Sequence, residues 1–380
     1  MSATRPHIGL NLIFLVPGET GGMEVAAREL IPALLAAAGE EMRFTAFVNR
    51  ELAAHSQYGL RELLPTKVVP VNARRRQEWV LGEQALLPPL AARSRVHLLH
   101  SLASTAPVWG PFRRVVTVHD LIYARFPEAH AGLRGKAMSL LVPAAARRSR
   151  RVIVDSQNTR EDLVELLGIP PARIDVVPLG LGALRRVEPL PAGEVRRRLR
   201  LGDRPVALSL SAKRPHKNLL GLIDALRRIP AEERPVLVLP GYATTHEAEL
   251  RERVAELDLD PYVRLLGWID ARELEGVWAI ADAFVFPSLY EGFGLPVLEA
   301  MARGVPVACS NAASLPEVVG DAALLFDPHD EAQIATALRR VLYEPELALR
   351  LRESGREQAR HFTWERTAQA TLESYRRALA

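Results

Sequence analysis

The sequence predicts two doubly wound α/β domains, each built on a parallel sheet, on three observations. Short β-branched runs alternate with helical patterns along the whole chain. The runs are apolar at almost every position rather than at every second one, as strands covered on both faces require. Near the middle, the stretch "GLGALRRVEPLPAGEVRRRLRLGDRP" breaks the alternation with prolines, glycines and arginines, as a connector does. A length of 380 residues suits two cores of ordinary size.

In the first half the strand runs are, in order, "HIGLNLIFLV", "RFTAFV", "KVVPV", "VHLLH", "VVTV", "RVIV" and "IDVVP". The opening run has the apolar character of a leader peptide, but no small-residue cleavage site comes after it, so it reads as a buried first strand. The second half repeats the style with "PVALSL", "PVLVLP", "VRLLG", "AFVFPS", "VPVACS" and "AALLFD". The expected boundaries are a first domain over 1–183, a connector over 184–203 and a second domain over 204–362. A closing helix over 363–380 is expected to pack back toward the first domain. That helix has a partial capping signal in Thr363 and Arg366, and Trp364, Ala368, Leu372 and Tyr375 fall near one face. A proline at 32 sits inside the first predicted helix, which starts near Glu24, and is expected to kink it.

Composition narrows the class. Apolar residues make up 48 % and charged residues 25 %, an ordinary globular balance. The one cysteine, Cys309, lies in a strand-like run and forms no internal disulfide, which fits a reducing, cytoplasmic location. The longest candidate span, "AMSLLVPAAA", has about half of the roughly 20 apolar residues a bilayer requires, and it contains Pro143. The net charge of +4 is uneven: residues 1–183 carry 22 Lys and Arg against 16 Asp and Glu, while 204–380 carry 21 against 26. The basic clusters Arg74-Arg75-Arg76, Arg113-Arg114 and "RRSRR" at 147–151 are either solvated helix ends or a face for an anionic membrane surface. Nucleic acid is excluded as a partner, because these clusters lack interleaved aromatics and aromatic content is 6 %.

One turn carries most of the chemistry. "PSLYEGFGLPVLEAMARGVPV" continues from the strand "AFVFPS", so its loop lies at the carboxyl end of a parallel sheet, where ligands bind. Pro296 suits the first position of the next helix, where its missing N–H would have no partner. Gly292 and Gly294 permit a sharp turn and a close ligand approach. Free N–H groups at Phe293, Gly294 and Leu295, with the helix dipole, make an anion site. Glu291 and Glu299 stand on either side of it, and a carboxylate so placed hydrogen-bonds sugar hydroxyls. Spacing alone leaves two readings, an N-capping turn with surface glutamates or a cradle for a phosphorylated sugar. Elsewhere, His119-Asp120 ends the buried run "VVTV", and Gly21 and Gly22 lie between the first strand and its helix. There is no GxxxxGK[ST], no GxGxxG after the first strand, no HExxH and no cysteine pair, so neither metal nor cofactor is expected.

The paired glutamates in that turn resemble the motif of the retaining glycosyltransferases of family four, which have the GT-B fold of two Rossmann-like domains facing across a cleft. The resemblance extends to "RLLGWIDARELEGVWAIADAFVFPS", "SNAASLPEVVGDAALLFDP", "PHKNLLGLIDAL", "FTWERTA", "PGETGGMEVAAREL", "VTVHDLIYARFPE" and "VDSQNTREDLVELLGIPPARIDVVPLG", covering nearly the whole chain and most specifically 205–330. It implies that Glu291 lies against the donor sugar, Glu299 binds the nucleotide ribose, and the backbone of Phe293, Gly294 and Leu295 holds the diphosphate. It also implies Lys217 as a phosphate cation, His119 as a site residue near the transferred sugar and acceptor, and Gly21 and Gly22 approaching the donor from the other domain. Asp120 would either orient the imidazole or cap the segment after it. The sequence departs from the family at Ala212, where many members carry an arginine, and Lys213 or Arg214 stands beside it as the substitute.

The implied activity is transfer of a hexose from a nucleotide-diphosphate sugar to a hydroxyl of a saccharide or lipid-linked acceptor, with retention. Family members with these turns use GDP-mannose, UDP-glucose or UDP-N-acetylglucosamine, and mannose is the working choice. The rivals are a nucleotide-sugar epimerase of the same architecture, a glycogen- or sucrose-synthase-type transferase, and a non-catalytic interaction protein.

Overall fold

The computed structural model describes residues 5–55, 59–126, 133–182 and 187–380, and every predicted strand run contains a strand. The chain divides into two compact units, residues 1–182 with 362–380, and residues 183–361.

The first unit holds β1 (His7–Leu12), β2 (Arg43–Val48), β3 (Thr66–Val68), β4 (Leu98–Ser101), β5 (Arg113–Val118), β6 (Arg151–Val154) and β7 (Ile174–Val176). They form one parallel sheet in the order β3-β2-β1-β4-β5-β6-β7. All six residues of β1 are buried, which explains its lack of alternation. The first helix runs from Gly22, earlier than expected, to Ala38, and continues through Pro32, whose ring nitrogen leaves the Arg28 carbonyl without its usual donor.

The closing helix, Trp364–Leu379, is part of this unit. Thr363 caps it, its hydroxyl accepting from the Arg366 N–H at 3.3 Å. Trp364, Ala368, Leu372 and Tyr375 are buried together, and complete burial of a side chain the size of Leu372 contributes about 1.5–3 kcal/mol. The Tyr375 hydroxyl pairs with His100 Nδ1 at 2.7 Å, and the Ser374 hydroxyl donates to Asp175 at 2.7 Å, so polar contacts fix the rotation of the helix as well.

The second unit holds β8 (Val206–Leu208), β9 (Val236–Leu239), β10 (Val263–Leu265), β11 (Ala283–Phe286), β12 (Val307–Ser310) and β13 (Leu324–Phe326), parallel in the order β10-β9-β8-β11-β12-β13. Cys309 is fully buried in β12, and burial pushes its thiol up to about 12. Residues 183–186, where the connector was expected to start, lie outside the described residues. The rest of that stretch is not a free linker: Ala192–Arg198 is a helix, and the Leu190 N–H donates to the Arg272 carbonyl at 3.2 Å, tying it to helix Ala271–Ala279 of the same unit.

Candidate active site

In the second unit the strand order reverses direction at β8 and β11, so the loops after these two strands diverge over a crevice at their carboxyl ends. The loops are stitched to each other. The His216 carbonyl accepts from the Leu289 N–H at 2.8 Å and from the Ser288 hydroxyl at 3.2 Å. This brings the 3₁₀ turn Pro215–Lys217 against the glutamate turn, and Lys217 Nζ meets Glu291 Oε1 at 2.5 Å, 5.7 Å from the Phe286 ring centroid. The Ser314 hydroxyl braces the turn from below, donating to the carbonyls of Glu291 at 3.0 Å and Phe293 at 2.8 Å.

Gly294 has φ +116°, and a Cβ there would stand 2.7 Å from Leu315 Cδ2, so both conformation and space call for glycine. It is the N-cap of helix Leu295–Ala302, which makes Pro296 the second helical residue, one place later than expected but still in the turn where an N–H is dispensable. The Gly294 carbonyl takes the N–H groups of Val297 and Leu298, while those of Gly294 and Leu295 have no partner among the described residues. Glu299, one turn further in, lies 3.8 Å from Arg303, which is held by Glu275 at 2.6 Å.

The two candidates for the second phosphate cation separate. Lys213 is 0 % exposed, and its ammonium donates to the carbonyls of Gly241 at 2.8 Å and Leu266 at 2.5 Å, with Glu247 at 3.4 Å. Burial lowers its pKa while Glu247 acts to raise it. As placed, Lys213 joins the loops after β8, β9 and β10 and cannot face a ligand, which corrects its assignment to donor binding. Gly241 is required there, since at φ +147° a Cβ would lie 1.8 Å from the Ser211 carbonyl oxygen. Arg214, half-buried one turn before Lys217, has a guanidinium with no partner among the described residues.

The first unit has its own switch point between β1 and β4. His119 comes just after β5 and has both ring nitrogens engaged, Nδ1 with Asp155 Oδ2 at 2.6 Å and Nε2 with the Leu102 carbonyl at 2.9 Å. Burial pulls the imidazole pKa down, but the Asp155 charge and hydrogen bond, the Leu102 carbonyl and Asp120 outweigh it and raise it to about 9. With a carboxylate and a carbonyl as partners, both ring nitrogens carry hydrogens in this arrangement, which leaves neither free to act as a base. Asp120 caps the next turn, accepting from the Ile122 N–H at 3.0 Å. The cavity beneath His119 and Asp155, bordered by Ala27, Leu30 and Thr371, has a volume of about 20 Å³, which admits a water and no sugar.

Gly21, at φ +66°, caps the first helix and Gly22 begins it. The loop before them folds onto Glu24, whose carboxylate accepts from the N–H groups of Gly18 at 2.9 Å and Thr20 at 3.4 Å. Sequence reasoning missed Asp155, although it ends "RVIV" as His119 ends "VVTV", the same strand-end position. It also missed the buried group Asn11, Glu83 and Ser101, and the stacked pair Tyr242 and Trp268, whose ring centroids are 4.8 Å apart in the loops after β9 and β10. Among the described residues no three His, Cys, Asp or Glu side chains gather as a metal site, and no helix is long and apolar enough to cross a membrane.

Comparison with known proteins decides the family. The profile described as Glycosyl transferases group 1 matches residues 193–358, and that described as Glycosyltransferase Family 4 matches residues 20–182. The chain belongs to glycosyltransferase family four. It is 33 % identical over 268 residues to the O-antigen chain mannosyltransferase B of Escherichia coli, covering 70 % of each chain. It is 32 % identical over 239 residues to the MMP alpha-(1->4)-mannosyltransferase of Mycolicibacterium hassiacum, covering 62 % of this chain and 56 % of that one. Among solved structures, sucrose-phosphate synthase from Thermosynechococcus elongatus matches with a TM-score of 0.77 at 24 % identity, covering 98 % of both chains. Anabaena HepE, solved in complex with UDP and glucose, matches with a TM-score of 0.74 at 20 % identity, covering 98 % of this chain and 99 % of that one. The two parallel sheets and these likenesses give this family four glycosyltransferase the GT-B fold.

Proposed function

We propose that this glycosyltransferase moves a hexose, mannose from GDP-mannose in the first instance, to a hydroxyl of a saccharide or lipid-linked acceptor, with retention and without a metal ion. The observation that carries this reading is the Lys217–Glu291 pair, 2.5 Å apart at the second unit's switch point beside the unpaired N–H groups of Gly294 and Leu295. As the bond from the anomeric carbon to the phosphate oxygen breaks, the diphosphate takes the electron pair. A preformed ammonium and helix-terminal amides stabilise that charge more in the transition state than in the bound donor. Arg214 adds the second cation, and these groups supply what a divalent ion would supply elsewhere. Glu291 orients Lys217 and faces the donor sugar, while Glu299 takes the ribose hydroxyls. The base rests against Tyr242 and Trp268, the latter 71 % exposed. The acceptor hydroxyl attacks from the side on which the phosphate departs, its proton passing to the departing phosphate oxygen.

Mannosyltransferases among the relatives favour mannose; UDP and glucose in HepE make UDP-glucose the competing donor. A thermal-shift screen against GDP, UDP and their sugars decides between them, since a ligand at 100 times its Kd stabilises by about 2.7 kcal/mol. We expect GDP-mannose to stabilise, transfer to survive EDTA, and the product anomer to match the donor. No shift with any nucleotide would overturn the reading, and an epimerised donor formed without acceptor would replace it with the epimerase.

A lipid surface as second partner is favoured by one patch of the first unit. Trp109 is 49 % exposed and donates from Nε1 to the Gln84 carbonyl at 2.5 Å, between Leu81 at 60 % and Leu86 at 39 % exposure. Arg114 reaches the adjoining Gly110 carbonyl at 3.2 Å. Apolar side chains rimmed by arginine suit an anionic bilayer. Sedimentation with anionic vesicles should remove the protein from solution at low salt, and equal binding to neutral vesicles would refute this.

A further inference from the structure

Between helices Arg76–Leu81 and Leu87–Arg93 the chain makes a π turn, Gly82–Leu86, a form rare in proteins and concentrated at functional sites. Gly82 packs so closely that a Cβ would lie 2.8 Å from Val71 Cγ1. The turn carries Glu83 inward, where it is 2 % exposed. Its Oε1 accepts from Asn11 Nδ2 at 3.0 Å and its Oε2 from Gln84 Nε2 at 3.2 Å.

Both neighbours lead to the loops that leave the first unit's switch point. Asn11 also donates to the Ser101 hydroxyl oxygen at 3.0 Å and accepts from the Ile13 N–H at 3.2 Å, at the root of loop 13–21. Gln84 donates to the Ala106 carbonyl at 3.0 Å and accepts from the Val108 N–H at 3.1 Å, gripping loop 102–108. The Leu102 carbonyl at the start of that loop is the acceptor for His119.

A buried carboxyl with no cation beside it is a costly way to fill space. The groups facing Glu83 are Asn11 from β1, Ser101 from β4 through Asn11, Thr105 from the loop after β4 and Gln84 from its own helix. None is ionisable. We propose that Glu83 is a positioning residue, its carboxyl setting loops 13–21 and 102–108 through Asn11 and Gln84, and that burial without a cation makes the closed arrangement of these loops favour the protonated carboxyl. The buried Thr105 hydroxyl also faces the carboxyl.

Burial pushes the Glu83 carboxyl up to about 7, with Thr105, Asn11 and Gln84 acting against it. Opening the loops admits water and returns the group to the ordinary carboxyl range, so rising pH favours the open loops. The role in transfer rests on the reading of the first unit as the acceptor side; the loop behaviour does not.

Hydrogen exchange on the full chain without ligand therefore tests it, read as protection factors at pH 6 and pH 8.5. In the wild type, protection in loops 13–21 and 102–108 should fall about tenfold or more across that range, while β8–β13 stay unchanged. Glu83→Gln should abolish the fall. Gln84→Ala should free loop 102–108 at both pH values and leave the response of loop 13–21. An unchanged pH response in Glu83→Gln, or protection lost throughout the first unit, would overturn the proposal. With GDP-mannose and methyl α-D-mannopyranoside, the acceptor KM should rise with pH in the wild type and not in Glu83→Gln, with GDP affinity equal in both. Absence of any transfer would count against the proposed function and leave the exchange result to judge Glu83.

Discussion

The two switch points are built in opposite ways. In the second unit the Lys217–Glu291 pair, whose side chains are 15 % and 11 % exposed, lies over loops that are locked independently of it by backbone contacts, the His216 carbonyl holding the glutamate turn. In the first unit the ionisable groups are themselves the locks, with Glu83 and Asp155 buried, His119 half-buried, and all three bonded to neighbouring segments. The difference teaches that the second unit can lose a site charge and stay folded, whereas the first couples its fold to protonation. Lys213 is the exception that tests the rule, a cation in the second unit that acts as a lock. Lys213→Met leaves two buried carbonyls without their donor and Glu247 with Arg251 alone, and removal of one member of a buried ionic group costs about 3–5 kcal/mol. Chemical denaturation should show that loss, the largest expected for any single change in either unit; a variant as stable as the wild type would return Lys213 to the surface and to the donor site.

The first unit is broken by pH rather than by truncation. The folded pKa of His119 is raised from 6.5 to about 9, so its contribution to stability is complete below 6.5 and disappears as pH climbs through 9. A shift of that size corresponds to roughly 3 kcal/mol. Glu83, raised from 4.5 to about 7, acts in the same sense in a lower window, because the fold retains a proton that the unfolded chain releases. Unfolding free energies between pH 6.5 and 9 should therefore decline in the wild type, and Asp155→Asn should remove most of that slope, leaving the Glu83 part near pH 7, while lowering the value at pH 6.5. A slope unaffected by Asp155→Asn would show that the imidazolium is held by something else.

This contrast also explains how much of the molecule was legible in its sequence. Strand runs such as "AFVF" and "VLVL" are apolar throughout because helices cover both faces, so all the strands and the two-sheet architecture were readable. The second site was readable for a similar reason: Glu291, Gly294, Leu295 and Glu299 lie in one turn, and a turn's geometry is local. The first site was not. Asn11 meets Ser101, and His119 meets Asp155, only because β1 lies beside β4 and β5 beside β6 in the sheet, an order no local spacing encodes. Lys213 and Arg214 show the finer limit. They are adjacent in sequence with opposite fates, decided by a glycine at 241 that brings the next loop over one of them.

Within the second unit, Lys217→Ala should lower kcat ten- to hundredfold, since a charge-assisted bond is worth about 1.5–3 kcal/mol and this one strengthens as the diphosphate leaves. Glu291→Gln should also lower kcat, by releasing the ammonium from its 2.5 Å partner. Glu291→Gln should melt close to the wild type, because the loops beneath it are held by backbone and serine contacts, whereas Lys217→Ala leaves the largely buried Glu291 carboxylate without that cation and should melt lower while remaining folded. Wild-type turnover in either would remove that pair from the mechanism.

The smallest effect separates the two adjacent cations. Arg214 is three residues before Lys217, at the extended N-cap of the 3₁₀ turn, and its guanidinium has no partner among the described residues. A guanidinium offers a planar fork to phosphate oxygens, whereas Lys217 is a point charge, so Arg214 should add binding common to ground and transition states rather than selective stabilisation. Arg214→Gln should accordingly weaken GDP or UDP about tenfold, near 1.4 kcal/mol, with kcat changed less than twofold and no loss of stability. Calorimetric titration reads the first and steady-state kinetics the second. If Arg214→Gln instead lowered kcat as Lys217→Ala does, the guanidinium would join the ammonium on the departing oxygen and the division of labour drawn between them would fail. If nucleotide affinity did not move at all, Arg214 would be a solvated charge, and the diphosphate would rest on Lys217 and the amides of Gly294 and Leu295 alone.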